Sequence, residues 1–328
     1  MNELATHAYD VVVIGGGAAG LSAAVTLARS RRQVLLIDDG SPRNETAAGV
    51  HGFLSREGAP PTEILRLGRS ELTSYGADVW DAVVTKVRRD GDRFCVETSR
   101  GEVGARRVLA ATGRRDVLPA IPGLASRWGI DVFHCPYCHG WEVRDQRVGV
   151  LVSNGLAGHL ALMFRQLTEH VFVLRHTGPA PTAQELEQFA ALRIEVRPGE
   201  VVEVLASESH LTGVRFRDDS VLPLNALVLA PESRSNVDML APLGLRPSEL
   251  RSGEELCGDH LEAAASGATS VQGVYVAGNV TNAEAQVVSA AAQGFEVGSA
   301  INRDLLEEDV RKAVERARQA GADAAVAS

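Results

Sequence analysis

The chain has 328 residues, 45% of them hydrophobic and 23% charged, with 32 glycines. This suits about two soluble domains and excludes a fibre, a low-complexity chain or a disordered tail. Its 33 basic residues against 42 acidic ones leave −9 at pH 7, a balance that repels phosphate backbones and anionic headgroups, so neither nucleic acid nor a membrane surface is an expected partner.

In chain order, Tyr9–Ile14 is a β-branched run ending in glycines, and Ala18–Arg29 has the Ala/Leu-rich composition of a helix packed on a sheet. Val34–Ile37 completes a βαβ unit. The stretch Val11–Ala28 is uncharged and nearly long enough to span a bilayer, but its Gly15-Gly16-Gly17 triplet argues against that. Met1–Asp10 has Glu3 and Asp10 and no basic residue, unlike a signal peptide. Ser41–Thr62 reads as a long functional loop, followed by a helix over about Glu63–Tyr75 and strands at Val83–Val87, Arg93–Glu97 and Val108–Gly113.

Pro119–Pro122 reads as a linker, after which the opening pattern repeats: a strand at Arg147–Val152, a helix to about Glu169 and a strand at Val171–Leu174. Strands at Val201–Leu205, Val214–Arg217 and Ala226–Leu229 are expected to finish this second unit, and Val274–Ala277 returns to the first. The parse is α/β, with two dinucleotide-binding, Rossmann-like domains and the second inserted in the first: residues 1–115 and 246–328, then 116–245. From Arg303, Leu306, Val310 and Val314 fall at helical spacing among charges, as in a surface helix.

Two motifs carry chemistry. Gly15-x-Gly17-x-x-Gly20 sits where a strand turns into a helix, and Asp38 ends the next strand 18 residues after the third glycine. In this fingerprint the first glycine permits the turn and the second lets a pyrophosphate reach the helix N-terminus. The third lets helix and strand pack closely, and the acid accepts from ribose hydroxyls. Cys135-Pro-Tyr-Cys138, bracketed by His134 and His139, can close a working disulfide beside groups that move protons near neutral pH. A zinc site would need a second ligand pair, and Cys95 and Cys257 are solitary, so no metal is expected. Four unevenly spaced cysteines do not make a secreted scaffold, which points to a reducing, cytoplasmic setting.

The run Asp10–Ala24, the Ala111-Thr-Gly113 strand end, the redox pair in the inserted domain and the closing Gly273–Asn279 together resemble low-molecular-weight thioredoxin reductases. The resemblance covers nearly the whole chain. It implies FAD in the first and last segments, lined by Gly15, Gly16, Gly17, Ala18, Gly20, Asp38, Asp39, Arg43, Asn44, His51, Val84, Ala111 and Gly113. Asn279, where the family has aspartate, is expected to bond a ribityl hydroxyl, with Gln286 and Val287 near the flavin ring. It also implies a homodimer, with Cys135 as the more exposed sulfur met by substrate and Cys138 facing the flavin.

The departures change the expected activity. Val152, Asn154 and Ala157 fall where the inserted domain of the family has its own GxGxxA, and Arg175-His176-Thr177 replaces the His-Arg-Arg that holds the NADPH 2′-phosphate. Both changes oppose nicotinamide binding, although Gly155 and Gly158 leave room for a shifted cradle. The segment His134–Trp141 is similar to that of thioredoxin-reductase-like dithiol oxidases of the gliotoxin, holomycin and romidepsin type. That likeness implies an FAD enzyme that oxidises a small-molecule dithiol and passes its electrons to O2, giving H2O2, with His139 as acid/base and His134 in reserve. The alternatives are a reductase of a thioredoxin-like protein, fed by NADPH or by another donor such as ferredoxin, and a low-turnover flavin redox sensor.

Overall fold

A computed structural model describes residues 8–252 and 254–326. The charge reading of the segment before residue 8 therefore lies outside the described residues. The chain opens with β1 (Ala8–Ile14), α1 (Ala18–Arg29), β2 (Val34–Asp38), α2 (Pro61–Ser74), β3 (Asp78–Asp81), β4 (Val84–Asp90), β5 (Arg93–Thr98) and β6 (Gly101–Ala110). β3, β2, β1 and β6 lie side by side and parallel, with β5 and β4 added antiparallel along the first half of β6. Val11, Val12 and Val13 are fully buried because both faces of this sheet are covered, which is why the strand reads as an unbroken apolar run rather than an alternating one.

The chain then crosses through β7 (Arg114–Val117) into a second sheet. β8 (Val132–Phe133), a single helical turn α3 (Pro136–His139), β9 (Val148–Leu151), α4 (Ala157–Arg165), β10 (Val171–Leu174), α5 (Ala183–Leu192) and β11 (Glu195–Arg197) follow. β12 (Val201–Ala206), β13 (Leu211–Phe216), β14 (Val221–Pro223) and β15 (Ala226–Val228) come next. The parallel sheet runs β11-β10-β9-β15-β8. The expected strands of this unit form. β12 and β13 stand apart from the parallel sheet in an antiparallel meander with β14, because Ser207–His210 and Asp218–Ser220 close tight turns, the latter with Asp219 at φ +66°.

The way back is β16 (Glu232–Ser235), antiparallel to β7, in a four-stranded sheet with β17 (Ser248–Ser252) and β18 (Glu255–His260). The expected boundary at 245 cuts across the packing that follows, since Val237, Leu240 and Leu245 bury against Val12, Val87 and Val276 of the first unit. β19 (Val274–Val276) joins the free half of β6, and α6 (Val287–Val326) closes the chain as one continuous helix rather than a separate surface helix from Arg303. Leu306, Val310 and Val314 lie on its exposed side, and Ile301 and Leu305 on its buried one.

α1 and α6 touch backbone to backbone. A Cβ on Gly294 would overlap the Ala19 carbonyl, and one on Gly298 would lie 2.9 Å from that of Ala23. Small residues on both helices allow this approach, and it sets the N-terminus of α6 beside that of α1.

Candidate functional site

Register brings the expected cofactor residues to one edge. Ile14 pairs with both Ile37 and Ala110, and Ala110 pairs with Val276, so the carboxyl ends of β1, β2, β6 and β19 deliver Gly15, Asp38, Ala111 and Gly278–Asn279 side by side. Such an edge is where open α/β sheets bind ligands. Each glycine of the opening turn has a separate geometric reason. Gly15 holds φ +101° under the Ala111 carbonyl, Gly16 lies against Asp38, and a Cβ on Gly20 would overlap the Gly15 carbonyl oxygen. A Cβ on Gly17 would meet nothing within 4 Å. Gly17 is the N-cap of α1 without a capping side chain, so the helix presents free N–H groups to open space next to Ala18.

Asp38 accepts from Gly16 N–H at 2.9 Å and from Arg69 Nη2 at 2.5 Å, and Arg69 also binds Asp81. Asp39, exposed, closes a turn by accepting from Ser41 N–H at 3.1 Å. Asn44 accepts from Ala47 N–H, Val84 is a core residue, and Gly113 at φ +63° accepts from Asn236 N–H. Asn279 donates its Nδ2 to the carbonyls of Asn282, Ala283 and Ala285, which fixes the loop leading to Gln286 and Val287 at the start of α6. Arg43 and His51 instead reach across the joint: Arg43 pairs with Asp116, while His51 lies 2.6 Å from Glu57 and 3.6 Å from Glu142.

Sequence reasoning missed Arg69, Arg114, Asn236 and Glu142, none of which lies in a local motif. Arg114 is buried and donates only to Ser233, to the Asp259 carbonyl and to the Asn279 carbonyl. Burial, with Arg43 nearby, holds its pKa below the ordinary value. Its neighbourhood in the sequence, Thr112-Gly-Arg-Arg, gave a signal only through the strand end before it.

The redox pair stands at the carboxyl end of β8. Cys135 and Cys138 are joined as a disulfide with their Cα atoms 5.3 Å apart, and the Cys135 carbonyl accepts from the amides of Cys138 and His139. The exposure order is the reverse of the expected one. Cys135, ahead of the helical turn, is 5% exposed, whereas Cys138, within it, is half-buried and faces the first unit. Cys138 Sγ lies 3.1 Å from Gln286 Oε1, and Gln286 Nε2 lies 3.5 Å from Cys135 Sγ. Tyr137 and Trp141 are exposed beside the pair.

Both flanking histidines are held neutral. His134 stacks on Trp128 at 6.0 Å, and burial, reinforced by the Arg43 guanidinium, pushes its pKa down to about 4. His139 lies flat on Phe133 at 4.8 Å, and burial lowers its pKa as well. Neither of its buried ring nitrogens has a hydrogen-bond partner among the described residues. A buried imidazole left so is costly unless another molecule completes it.

The second strand-turn-helix is built differently. Asn154 donates to the Ala230 carbonyl at 2.7 Å and accepts from Leu156 N–H at 3.1 Å, which ties down the turn ahead of α4, although α4, like α1, has no side-chain cap. Gly178 folds over Val152, and Glu185, in a capping box with Thr182, presses its carboxylate on Gly158. A crevice of about 460 Å³ remains, lined by Val152, Asn154, Gly158 and Glu185 among others and by no Lys or Arg. His176 accepts from Val201 N–H, leaving Arg175 as the one basic side chain of that segment.

A disulfide that meets the start of α6 from a second Rossmann-like unit, with an open dinucleotide-type turn in the first, defines a disulfide oxidoreductase with a dinucleotide cofactor. Residues 9–294 match the family described as pyridine nucleotide-disulphide oxidoreductase, and the chain belongs to it. It is similar to thioredoxin reductase sirT of Leptosphaeria maculans, 31% identical over 92% of this chain and 96% of that one. A probable thioredoxin reductase of Arthroderma benhamiae is 40% identical, over 44% of this chain and 38% of its own length. The solved structure of HlmI superposes with a TM-score of 0.89 at 40% identity, over 96% of this chain and 98% of that one.

The resemblance read from the motifs therefore holds, and the chain is an FAD-dependent, thioredoxin-reductase-like disulfide oxidoreductase. The residues present fit FAD: the uncapped α1 and the open space at Gly17 suit its pyrophosphate. Among the described residues no helix is long and apolar enough to cross a membrane, and no group of three or more His, Cys, Asp or Glu is arranged to hold a metal ion.

Proposed function

We propose that the protein oxidises a small-molecule dithiol to a disulfide through Cys135 and Cys138, with O2 as the final acceptor. The dithiol loses two electrons and two protons, and O2 takes up both and leaves as H2O2. The observation that carries this reading is Glu185, whose carboxylate stands on Gly158 in a crevice lined by no Lys or Arg, so that a nicotinamide dinucleotide would meet a negative charge and neither of these cations for its phosphates.

FAD would be held by Gly15, Gly16, Gly17, Ala18 and Gly20 at its pyrophosphate and by Asp38 and Asp39 at its ribose. Asn44, Val84, Ala111, Gly113 and Asn279 would line it, with Gln286 and Val287 toward the ring. Arg43 and His51 act from the joint, where they hold the inserted unit against the first. When bound, FAD takes up the electron pair released by the dithiol and hands it to the acceptor.

The chain's own residues do the sulfur chemistry. A substrate thiolate attacks Cys135 Sγ, and the bond between the two cysteines breaks with its electron pair on Cys138 Sγ. The second substrate thiolate then displaces Cys135 and closes the product disulfide. This order keeps the roles that the resemblance implies, Cys138 toward the cofactor, where it meets Gln286 at 3.1 Å, and Cys135 toward substrate although it is the more buried of the two. His139, whose pKa burial lowers, is the base that accepts the substrate thiol proton, and His134 is the reserve base. Cys135→Ser and Cys138→Ser are each expected to lower dithiol turnover by ~1,000-fold or more, because neither serine can form the mixed disulfide. Retained turnover in both would make the pair structural.

A second reading, reduction of a thioredoxin-like protein, is favoured by the names of the relatives, and coupling to NADPH or to another donor such as ferredoxin would select it. A cytoplasmic setting is supported by the free Cys95 and Cys257. A homodimer is supported by an apolar groove of about 760 Å³ between α1, α2 and α6, rimmed by exposed Leu54 and Phe295. A monomeric mass in solution at micromolar concentration would contradict it.

A further inference from the structure

Gln286 bridges both sulfurs of a pair that lies about 150 residues away in the chain and in the other unit. Its backbone is fixed twice. Its carbonyl accepts from Ala290 N–H at 2.8 Å in the first turn of α6, and the loop before it hangs on the three bonds from Asn279 Nδ2. Among the described residues, no other side chain makes a hydrogen-bond contact with either sulfur.

A carboxamide carries one acceptor and a donor group at a fixed spacing. A disulfide has no proton to give and no charge to stabilise. A reduced pair that carries one negative charge has one thiol, which needs an acceptor, and one thiolate, which needs a donor. The geometry points to Gln286 as a positioning residue that matches this monoanionic dithiol: Nε2–H donates to the Cys138 thiolate while Oε1 accepts from the Cys135 thiol. A half-turn of the amide, whose two ends differ little in shape, brings Nε2 from Cys135 to Cys138. The inference rests on the sulfur roles assigned above. As the substrate thiolate attacks Cys135 Sγ, substrate sulfur is oxidised into the mixed disulfide and Cys138 sulfur is reduced to thiolate. The amide turns to meet the charge where it leaves, and the first-turn amides of α6 favour the same anion.

The test reads the thiolate without substrate, O2 or NADPH. In FAD-loaded Cys135→Ser protein, Cys138 alkylation by iodoacetamide is followed against pH, peptide by peptide, so that Cys95 and Cys257 are separated. Gln286→Met, similar in size, is expected to shift the Cys138 midpoint upward and slow its alkylation at neutral pH by about tenfold. Gln286→Glu, which sets a carboxylate beside the sulfur, shifts it further, and Gln286→Asn, one methylene short, falls between wild type and Met. Unchanged midpoints in the Met and Glu variants overturn the inference, and FAD loss with an unchanged midpoint assigns Gln286 to the cofactor alone. Because no electron acceptor enters, a failure here is distinct from a failure of the oxidase reading.

Discussion

The two strand-turn-helix junctions, Gly15–Gly20 in the first unit and Val152–Gly158 in the second, share a topology and a helix start without a side-chain cap, and differ in what stands before it. In the first, the N-cap is Gly17, no side chain caps it, and the space before it is open. In the second, Asn154 ties down the turn, Val152 is covered by Gly178, and the Glu185 carboxylate rests on Gly158 in α4's first turn. A helix N-terminus suits a phosphate where the space before it is open and no carboxylate stands in it. The contrast teaches that two units of one topology can set different space and charge before the same helix end.

Alanine substitution at the matching glycines should separate the two junctions most sharply. At Gly20 the new Cβ meets the Gly15 carbonyl, which cannot yield without moving the turn. Gly20→Ala should lose FAD and about 3 kcal/mol of stability, read by flavin absorbance and thermal unfolding. At Gly158 the neighbour is the far end of Glu185, so Gly158→Ala should keep FAD and change stability by less than ~1 kcal/mol. Equal losses would remove the distinction.

The acids of the two junctions give a smaller contrast. Asp38→Ala takes an acceptor from Gly16 and Arg69, and FAD retention in dialysis should weaken by tenfold or more, on the order of 1.5 to 3 kcal/mol for a charge-assisted bond. Glu185→Ala should leave FAD in place and cost only about 1 kcal/mol through the lost capping box.

Acid stability is a third expectation and bears on the joint between the units. The folded protein keeps His134 neutral down to about 4, whereas in the unfolded chain it takes a proton below its ordinary 6.5. The unfolded state therefore binds more protons in that window. Stability from this group is full above pH 6.5 and is lost as pH falls toward about 4, by on the order of 3 kcal/mol. His134→Phe, which keeps a ring on Trp128, should flatten that slope in pH-dependent melting, and an unchanged slope would assign the loss to other groups.

Much of this was legible in the sequence because it is local. Gly15, Gly17, Gly20 and Asp38 announce a turn whose demands on φ and contact are met within a few residues, and Val152 and Asn154 announce its loss in the same way. What was not legible depends on residues far apart. Arg69 reaches Asp38 from a helix 31 residues later, and Glu142 meets His51 across the joint. The burial of Cys135 relative to Cys138 follows from how the helical turn sits on β8, which no spacing encodes. The strands at Val201–Leu205 and Val214–Arg217 were legible, but their pairing with β14 in a separate meander was not, because only the tight turns between them decide it.

The direction of electron flow is the central claim, and anaerobic flavin reduction tests it most directly. A small dithiol should bleach the yellow protein within the time of mixing while millimolar NADPH leaves it oxidised, and admitting air should restore the colour with release of H2O2. Rapid bleaching by NADPH, coupled to reduction of a thioredoxin, would contradict the account and establish the reductase in its place.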